Sequence, residues 1–191
     1  MNKGQKLLSN GILSQKIRNL AITDWQTLTT YVQSLPYGRN SNREDFSLVL
    51  SEGKGTCSSK HAFLKSVASE NHLEEVQLFL GMYKMNPYNT PGIGAVLKAS
   101  ILDFIPEAHC YLKVHGIRKD LTSPRSNINI IENALMEELE ISPGQVVGFK
   151  VDYHKDYIKN WIKEEQIALS FAEVWNLREL CIEHLSNPQN L

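Results

Sequence analysis

The stretch from residue 107 to residue 121 constrains the fold more than any other part of this sequence. Between Glu107 and Val114 polar and apolar residues alternate, as they do in a β-strand with one buried face. His115-Gly116 then predicts a two-residue turn, after which Ile117 to Leu121 returns as a second strand. The turn fixes an antiparallel register in which residue 114 pairs with 117, 113 with 118 and 112 with 119. The chain is therefore expected to contain an antiparallel sheet.

Alternation divides the first strand into an apolar face and a functional or solvent face. The apolar face carries Ala108, Cys110, Leu112 and Val114, and the other face carries Glu107, His109, Tyr111 and Lys113. In the predicted register Asp120 shares a face with Tyr111 and is the diagonal neighbour of His109, at about 7–8 Å between Cα atoms. An acidic side chain so placed can fix the tautomer of an imidazole and stabilise the imidazolium. We therefore predict that His109 and Asp120 act together, and that Cys110 belongs to the core.

Helical patterns precede and follow the strands. Residues 5–35 are expected to be helical, with a capping box at Thr23 and Gln26 and an end at Pro36. Further along the chain we expect a helix from Cys57 to residue 70 and a strand over 75–85. After the hairpin we expect a helix over 133–140 and a strand over 146–153. Two helices close the chain, and the second is capped by Ser170 and Glu173. This order lacks the regular βαβ alternation of a parallel sheet. The predicted class is therefore α+β with an antiparallel sheet.

Length and composition exclude several classes of protein. The chain has 191 residues and a formal net charge of −1, so it has a domain's length and no basic excess to favour nucleic acid. No apolar run approaches the roughly 20 residues of a membrane helix, and the N-terminus lacks the apolar stretch of a signal peptide. Three cysteines do not suggest a disulfide framework. We expect a cytoplasmic protein with no membrane partner and a thiol available for chemistry.

Cys57 is the cysteine whose surroundings favour reactivity. It follows Gly53 and Gly55 and begins the predicted helix, where the positive end of the helix dipole favours a thiolate. The two glycines would let a substrate approach the backbone and leave N–H groups to face an oxyanion. The alternative is a buried cysteine at the start of a core helix, since free cysteines are often simply buried.

Taken in order, these residues resemble the transglutaminase-like superfamily, which shares the papain-like thiol fold. The resemblance spans residues 30–125 and is carried by Gly55-Thr56-Cys57, by His109 within Ala-His-Cys-Tyr-Leu-Lys-Val, by Asp120 within Arg-Lys-Asp-Leu-Thr, and by Leu-Pro-Tyr-Gly-Arg at 35–39. It implies a nucleophile at Cys57, a base at His109 and an orienting carboxylate at Asp120. It also implies a papain-like core in which the Cys57 helix packs on the antiparallel sheet, between flanking N- and C-terminal helices.

The resemblance further implies one domain over residues 1–191, with a core over 30–153 and a helical extension over 154–191. The implied activity is attack on amide or peptide bonds through a covalent acyl-thioester, resolved by water as in a peptidase or amidase. Amine acyl transfer and a non-catalytic scaffold that keeps the fold are the alternatives. No cofactor is expected. The expected partner is a peptide or another amide substrate, and the sequence does not give the oligomeric state.

Two features depart from the family. Cys110 stands where an aromatic residue often follows the histidine, and no acidic loop suggests calcium binding. The arylamine N-acetyltransferase signature Arg-Gly-Gly-x-Cys is also absent.

Weaker candidates surround the predicted triad. Tyr37, Asn40 and Tyr111 are candidate contacts to substrate or oxyanion, although Tyr37 and Asn40 equally suit a plain loop. A zinc site built from Cys57 and His61 with His109-Cys110 or His115 is a further alternative, which the spacing does not favour. Because a site face contributes little to a core, substitutions at the three triad positions are expected to leave the melting temperature nearly unchanged.

Overall fold

The structure, a computed structural model, describes residues 4–185. Its helices are α1 (Ile12–Arg18), α2 (Trp25–Ser34), α3 (Leu48–Ser51), α4 (Cys57–Glu70), α5 (Gly94–Lys98), α6 (Ile128–Glu132), α7 (Gly148–Glu164) and α8 (Phe171–Leu185). Its strands are β1 (Val76–Met85), β2 (Ile105–Val114), β3 (Ile117–Lys119) and β4 (Leu135–Glu140). They form a four-stranded antiparallel sheet in the order β3-β2-β1-β4. The expected α+β class is confirmed, while the papain-like core stays a prediction.

The chain divides into two compact units. The first takes the described part of Met1–Leu80, with Cys110–Ile128 and Leu139–Val147. The second takes Gly81–His109, Asn129–Glu138 and the described part of Gly148–Leu191. The single domain over 1–191, its core over 30–153 and its extension over 154–191 stay predictions, and residues 1–3 and 186–191 of that domain lie outside the described residues.

Helix α4 is the central helix of the first unit. It packs against α1, α2 and α3 and against a short 3-10 helix, Pro143–Val146. Its inward stripe is fully buried and consists of Ala62, Phe63, Leu64, Val67 and Ala68. Fully burying a residue such as Phe63 or Leu64 contributes about 1.5–3 kcal/mol, so this stripe fixes where the start of α4 lies.

The hairpin of β2 and β3 has the predicted register. Leu112 pairs with Lys119, Lys113 with Arg118 and Val114 with Ile117. The turn residues His115 and Gly116 have φ angles of 50° and 76°, which are the positive values that a two-residue hairpin turn needs. The predicted strand over 75–85 and the predicted helix from Cys57 to residue 70 are confirmed as well.

The amino-terminal helix is interrupted, contrary to expectation. Residues 5–11 are not helical, since the first helix begins only at Ile12. Residues 19–24 are not helical either, because the chain turns back at Ala21, whose φ is 59°, and then pairs with the N-terminal segment. That pairing runs from Leu7 N–H to Thr23 O at 3.0 Å and from Trp25 N–H to Gln5 O at 2.8 Å. The capping residue of α2 is Asp24, which accepts the Thr27 N–H at 2.9 Å, so the predicted Thr23–Gln26 box is wrong. The predicted helix end before Pro36 is confirmed.

Two elements near the C-terminal end of the sequence have the opposite type from the one predicted. Residues 133–140 were expected to be helical, yet Leu135–Glu140 is strand β4 at the edge of the sheet. Residues 146–153 were expected to be a strand, yet Gly148 begins the 17-residue helix α7. The buried residues of α7 follow helical spacing and are Lys150, His154, Ile158 and Trp161. Two of these four residues are polar. The helical spacing is therefore not visible when only the apolar residues of the sequence are considered.

The second unit buries an ion pair between β2 and α8. Glu107, which is 5% exposed, accepts two hydrogen bonds from Arg178: from Nε to Oε2 at 2.7 Å and from Nη2 to Oε1 at 2.6 Å. Beside this pair, His154 donates from Nε2 to Pro106 O at 2.8 Å and meets the Trp175 ring edge-on at 5.2 Å. The predicted Ser170–Glu173 capping box of α8 is confirmed by bonds in both directions.

Within residues 4–185 no helix has the length and apolar character that crossing a bilayer requires.

Candidate functional site

Cys57 is the first residue of α4, at the position the sequence predicts. The preceding residue, Thr56, caps the helix: its side chain accepts the Ser59 N–H at 3.3 Å, and the Ser59 hydroxyl accepts the Thr56 N–H at 2.9 Å. This capping box fixes the first turn without using the Cys57 N–H, which is the group predicted to face an oxyanion. Cys57 is 8% exposed, whereas Cys110 and Cys181 are 0% exposed. Of the three thiols Cys57 thus has the largest exposed fraction, but it too is buried, as the alternative of a buried cysteine at a helix start expects.

The glycines before Cys57 serve packing and turn geometry. Gly55 N–H donates to Pro36 O at 3.1 Å, so it is not left to face an oxyanion as expected. A Cβ at Gly55 would lie 2.8 Å from Lys60 Cγ and 2.9 Å from Ser59 Oγ. Only a residue without a side chain lets this strand-like segment approach the first turn of α4 so closely. Gly53 has a φ of 61°, which favours glycine for conformational reasons.

The loop that carries Tyr37 and Asn40 is fixed beside the segment leading to Cys57. Tyr37 forms a parallel β-bridge with Gly55, and Asn40 donates from Nδ2 to Lys54 O and to Glu52 Oε2, both at 3.0 Å. An amide group has two N–H donors, and both are engaged here. Asn40 therefore has no proton left for an oxyanion, and its Oδ1 is buried, so the predicted contact of this side chain with substrate or oxyanion finds no support. The role of Tyr37 stays a prediction.

His61, one helical turn after Cys57, links the start of α4 to the segment after β3. Its Nε2 accepts the Leu121 N–H at 2.8 Å, so the proton must lie on Nδ1, which donates to Cys57 O at 2.7 Å. Nε2 also lies 3.9 Å from Asp120 Oδ1. This fully buried imidazole therefore brings the backbone of Cys57 and the carboxylate of Asp120 to one side chain.

Asp120 is buried, at 8% exposure, and its Oδ1 accepts the Thr122 N–H at 3.0 Å. Near it lies Lys60, whose Nζ donates to Leu35 O at 2.5 Å and to Thr122 O at 2.6 Å. Burial lowers the pKa of Lys60 to about 8, and the charge of Asp120 offsets part of that effect. The predicted orienting carboxylate therefore interacts through space with a buried ammonium group.

His109 lies in the second unit, on β2, and is 9% exposed. Its ring meets the Tyr83 ring edge-on, with centroids 6.0 Å apart. Its predicted pairing with Cys57 and Asp120 stays a prediction. Strand β2 is buried on both faces from Ile105 to Leu112, so the expectation of a half-buried strand is wrong.

The neighbours of His109 on β2 explain that burial. On one side of it in sequence, Glu107 is neutralised by Arg178, and on the other, Tyr111 stacks on Phe79 with centroids 6.2 Å apart. Tyr111 is 0% exposed, which argues against direct contact with a substrate. Cys110 is also 0% exposed and accepts the Ser58 hydroxyl at 3.7 Å, so its predicted place in the core is confirmed.

The zinc alternative finds no geometric support in the part of the chain that the structure describes. Between residues 4 and 185 no group of three or more His, Cys, Asp or Glu side chains is placed to hold a metal ion. Both ring nitrogens of His61, which the alternative requires as a ligand, are engaged by backbone groups.

Sequence reasoning missed the roles of Lys60 and His61. Cys57, Lys60 and His61 have the i, i+3, i+4 spacing of one helix face, which was a usable signal. A lysine on the buried face of a core helix is rare without a partner, so its position pointed to a nearby carboxylate.

No protein-family model, curated protein or solved structure matches this chain. The resemblance to the transglutaminase-like superfamily therefore stays a hypothesis that depends on the residues themselves.

Proposed function

We propose that this chain is a thiol enzyme that acts on amide or peptide bonds, with Cys57 as its nucleophile. The observation that carries the proposal is the position of Cys57 at the first residue of a capped 14-residue helix; its side chain is buried, but less completely than those of the other two cysteines. The positive end of the helix dipole stabilises a thiolate there. In Cys181, by contrast, burial raises the thiol pKa to about 11.

The proposed reaction has two stages. His109 takes the Cys57 proton, and the thiolate attacks the substrate carbonyl carbon while the Cys57 N–H donates to the oxyanion. The carbon–nitrogen bond then breaks, the amine leaves with the proton from His109, and an acyl-thioester remains on Cys57. Water attacks the thioester and gives a proton to His109. The carbon–sulfur bond then breaks, and His109 returns that proton to the Cys57 thiolate, which leaves a carboxylic acid and the free thiol. Asp120 supplies the carboxylate that orients the base.

The first test measures the reactivity of each thiol. Iodoacetamide is added to the native protein over a range of pH, and the rate at each cysteine is followed by mass spectrometry. Cys57 is expected to react with a midpoint below the ~8.5 of a free thiol. Cys110 and Cys181 serve as internal controls and are expected to react more slowly. If Cys57 reacts no faster than these two, the chain is better described as a scaffold.

The second test measures turnover on amide substrates found with thiol-directed probes and a peptide library. Cys57→Ala is expected to abolish kcat/KM, and His109→Ala to reduce it nearly as much, since activation and leaving-group protonation both need the imidazole. Asp120→Asn is expected to be milder. Adding a primary amine separates the two activities: an amide product indicates acyl transfer, and an acid alone indicates hydrolysis. Full activity in Cys57→Ala would overturn the proposal.

A further inference from the structure

Three segments that carry candidate site residues converge on the side chain of Lys60. The first is the first turn of α4, which contains both Cys57 and Lys60. The second is the end of α2, where Leu35 O accepts from Nζ and the chain continues to Tyr37. The third is the segment after β3, where Thr122 O accepts from Nζ two residues beyond Asp120.

The aliphatic part of the Lys60 side chain is packed as tightly as its ammonium group. Gly55 packs so closely that a Cβ there would lie 2.8 Å from Lys60 Cγ, and the residue is 0% exposed. The ammonium therefore has one place to lie, between two backbone carbonyls and near the carboxylate of Asp120.

A charge in this position has a cost that packing alone does not explain. An apolar side chain of similar volume would fill the same space without the desolvation of an ammonium, and such replacements of buried charges are often neutral or stabilising. What only the cation provides is a counter-charge for Asp120, which is itself buried. Without it, burial acts more strongly against the ionised carboxylate, and a protonated carboxyl cannot stabilise an imidazolium.

We propose that Lys60 is a positioning residue of the Cys57 site, and that its buried ammonium keeps Asp120 ionised for the orienting role assigned to that carboxylate. The inference rests on the proposed function, because it concerns how that site is held. Lys60 acts through Asp120 and does not touch the substrate. The lowered pKa of Lys60, at about 8, agrees with a largely protonated side chain at pH 7.

The test is a double-mutant cycle on the alkylation rate of Cys57 by iodoacetamide at pH 7. Lys60→Met is expected to slow the reaction about fivefold. In the Asp120→Asn background the same change is expected to have almost no further effect, because the carboxylate through which Lys60 acts is gone. Lys65→Met, the same substitution on the same helix at a half-buried position, is the control and is expected to leave the rate unchanged.

Lys60→Gln separates charge from hydrogen bonding and guards against a misfolded Lys60→Met. Its amide keeps two N–H donors for Leu35 O and Thr122 O but carries no charge. We expect it to slow alkylation as Lys60→Met does. A wild-type rate in Lys60→Gln, or equal losses from Lys60→Met with and without Asp120, would overturn the inference and leave Lys60 a structural residue. Failure of the proposed function would be visible separately, as a slow Cys57 in the unaltered protein.

Discussion

Two regions of this protein bury a charge, and they stabilise it in different ways. Glu107 faces the planar guanidinium of Arg178 through two short hydrogen bonds. Lys60 instead donates to two neutral carbonyls, with Asp120 acting on it through space. Burial disfavours the charged form of both residues, but the balance between desolvation and the nearby charges differs between them. For Glu107 the charge and hydrogen bonds of Arg178 are the main effects that outweigh desolvation and lower the pKa to about 2. For Lys60 desolvation prevails and lowers the pKa to about 8.

The difference shows what each arrangement can be used for. A bidentate carboxylate–guanidinium pair is charged throughout the physiological range and works as a fixed link between β2 and α8. An ammonium held by carbonyls titrates close to neutral pH, so its charge responds to its surroundings. The first suits a core, and the second suits a site in which the charge of one side chain depends on that of another.

The largest expected effect on the free energy of unfolding comes from removing the ion pair between Glu107 and Arg178. Arg178→Met leaves Glu107 as a buried carboxylate without its main partner, which is expected to lower the free energy of unfolding by about 4 kcal/mol. Urea denaturation followed by circular dichroism measures this loss. Arg43→Met, at an exposed position, is the control. A loss below about 1 kcal/mol would mean that the Glu107–Arg178 pair is not the stabilising contact described here.

Asp120→Asn is expected to lower the free energy of unfolding by about 3 kcal/mol, because Lys60 then loses its counter-charge. The loss is smaller than for Arg178→Met because Lys60 can release its proton. This revises the sequence-based expectation that triad substitutions leave stability unchanged, which we keep for Cys57 and His109. The same denaturation measurement applies, with Lys60→Met/Asp120→Asn as the second variant. If the loss in the double variant is equal to or larger than the sum of the two single losses, the two charges do not form a pair.

Gly55→Ala tests how tightly the stem of Lys60 is held. Its Cβ would press on Lys60 Cγ and Ser59 Oγ, and such overpacking is expected to cost about 2 kcal/mol. Gly144→Ala is the matched control, since a Cβ there has nothing within 4 Å. Thermal unfolding of both variants provides the comparison, and equal melting temperatures would show that the first turn of α4 can shift to accommodate a methyl group.

The smallest expected effect is the change in stability between pH 8 and pH 9, to which Lys60 contributes and Glu107 does not. The pKa of Lys60 is about 8 in the folded chain and about 10.4 in an unfolded one, so the unfolded state binds the proton first as the pH falls. Stability due to Lys60 therefore rises with pH between these values, by at most about 1.4 kcal/mol per pH unit, and is constant below them. Unfolding free energies at pH 8 and pH 9 should rise less in Lys60→Met than in the unaltered protein. An identical rise would contradict the lowered pKa.

Glu107 contributes in a different range. Its pKa of about 2 lies below that of an unfolded glutamate, so its contribution is present above about pH 4.3 and is lost as the pH falls towards 2. Arg178→Met should therefore alter the acid limb of the stability profile and leave the rise between pH 8 and pH 9 intact.

Local signals predicted those parts of the fold whose cause is local. The hairpin register follows from His115-Gly116, because a two-residue turn with positive φ angles admits one pairing. The start of α4 at Cys57 and the Ser170–Glu173 cap of α8 depend on residues close in sequence, and both are present. The resemblance to thiol enzymes likewise uses short motifs, and the placement of Cys57 at a helix start agrees with it.

The sequence by itself therefore determined the α+β class, the β2–β3 hairpin and the helix that begins at Cys57. Tertiary structure alone decided the type of β4, where residues with high helix propensity form an edge strand because Lys84 and Leu78 of β1 supply backbone partners for Ala134 and Ile141. It also decided which charged residues are buried. Neither Lys60 nor Glu107 carries its partner nearby in sequence, since Asp120 and Arg178 follow 60 and 71 residues later. A buried charge is stable only beside such a partner, and only the folded chain brings them together.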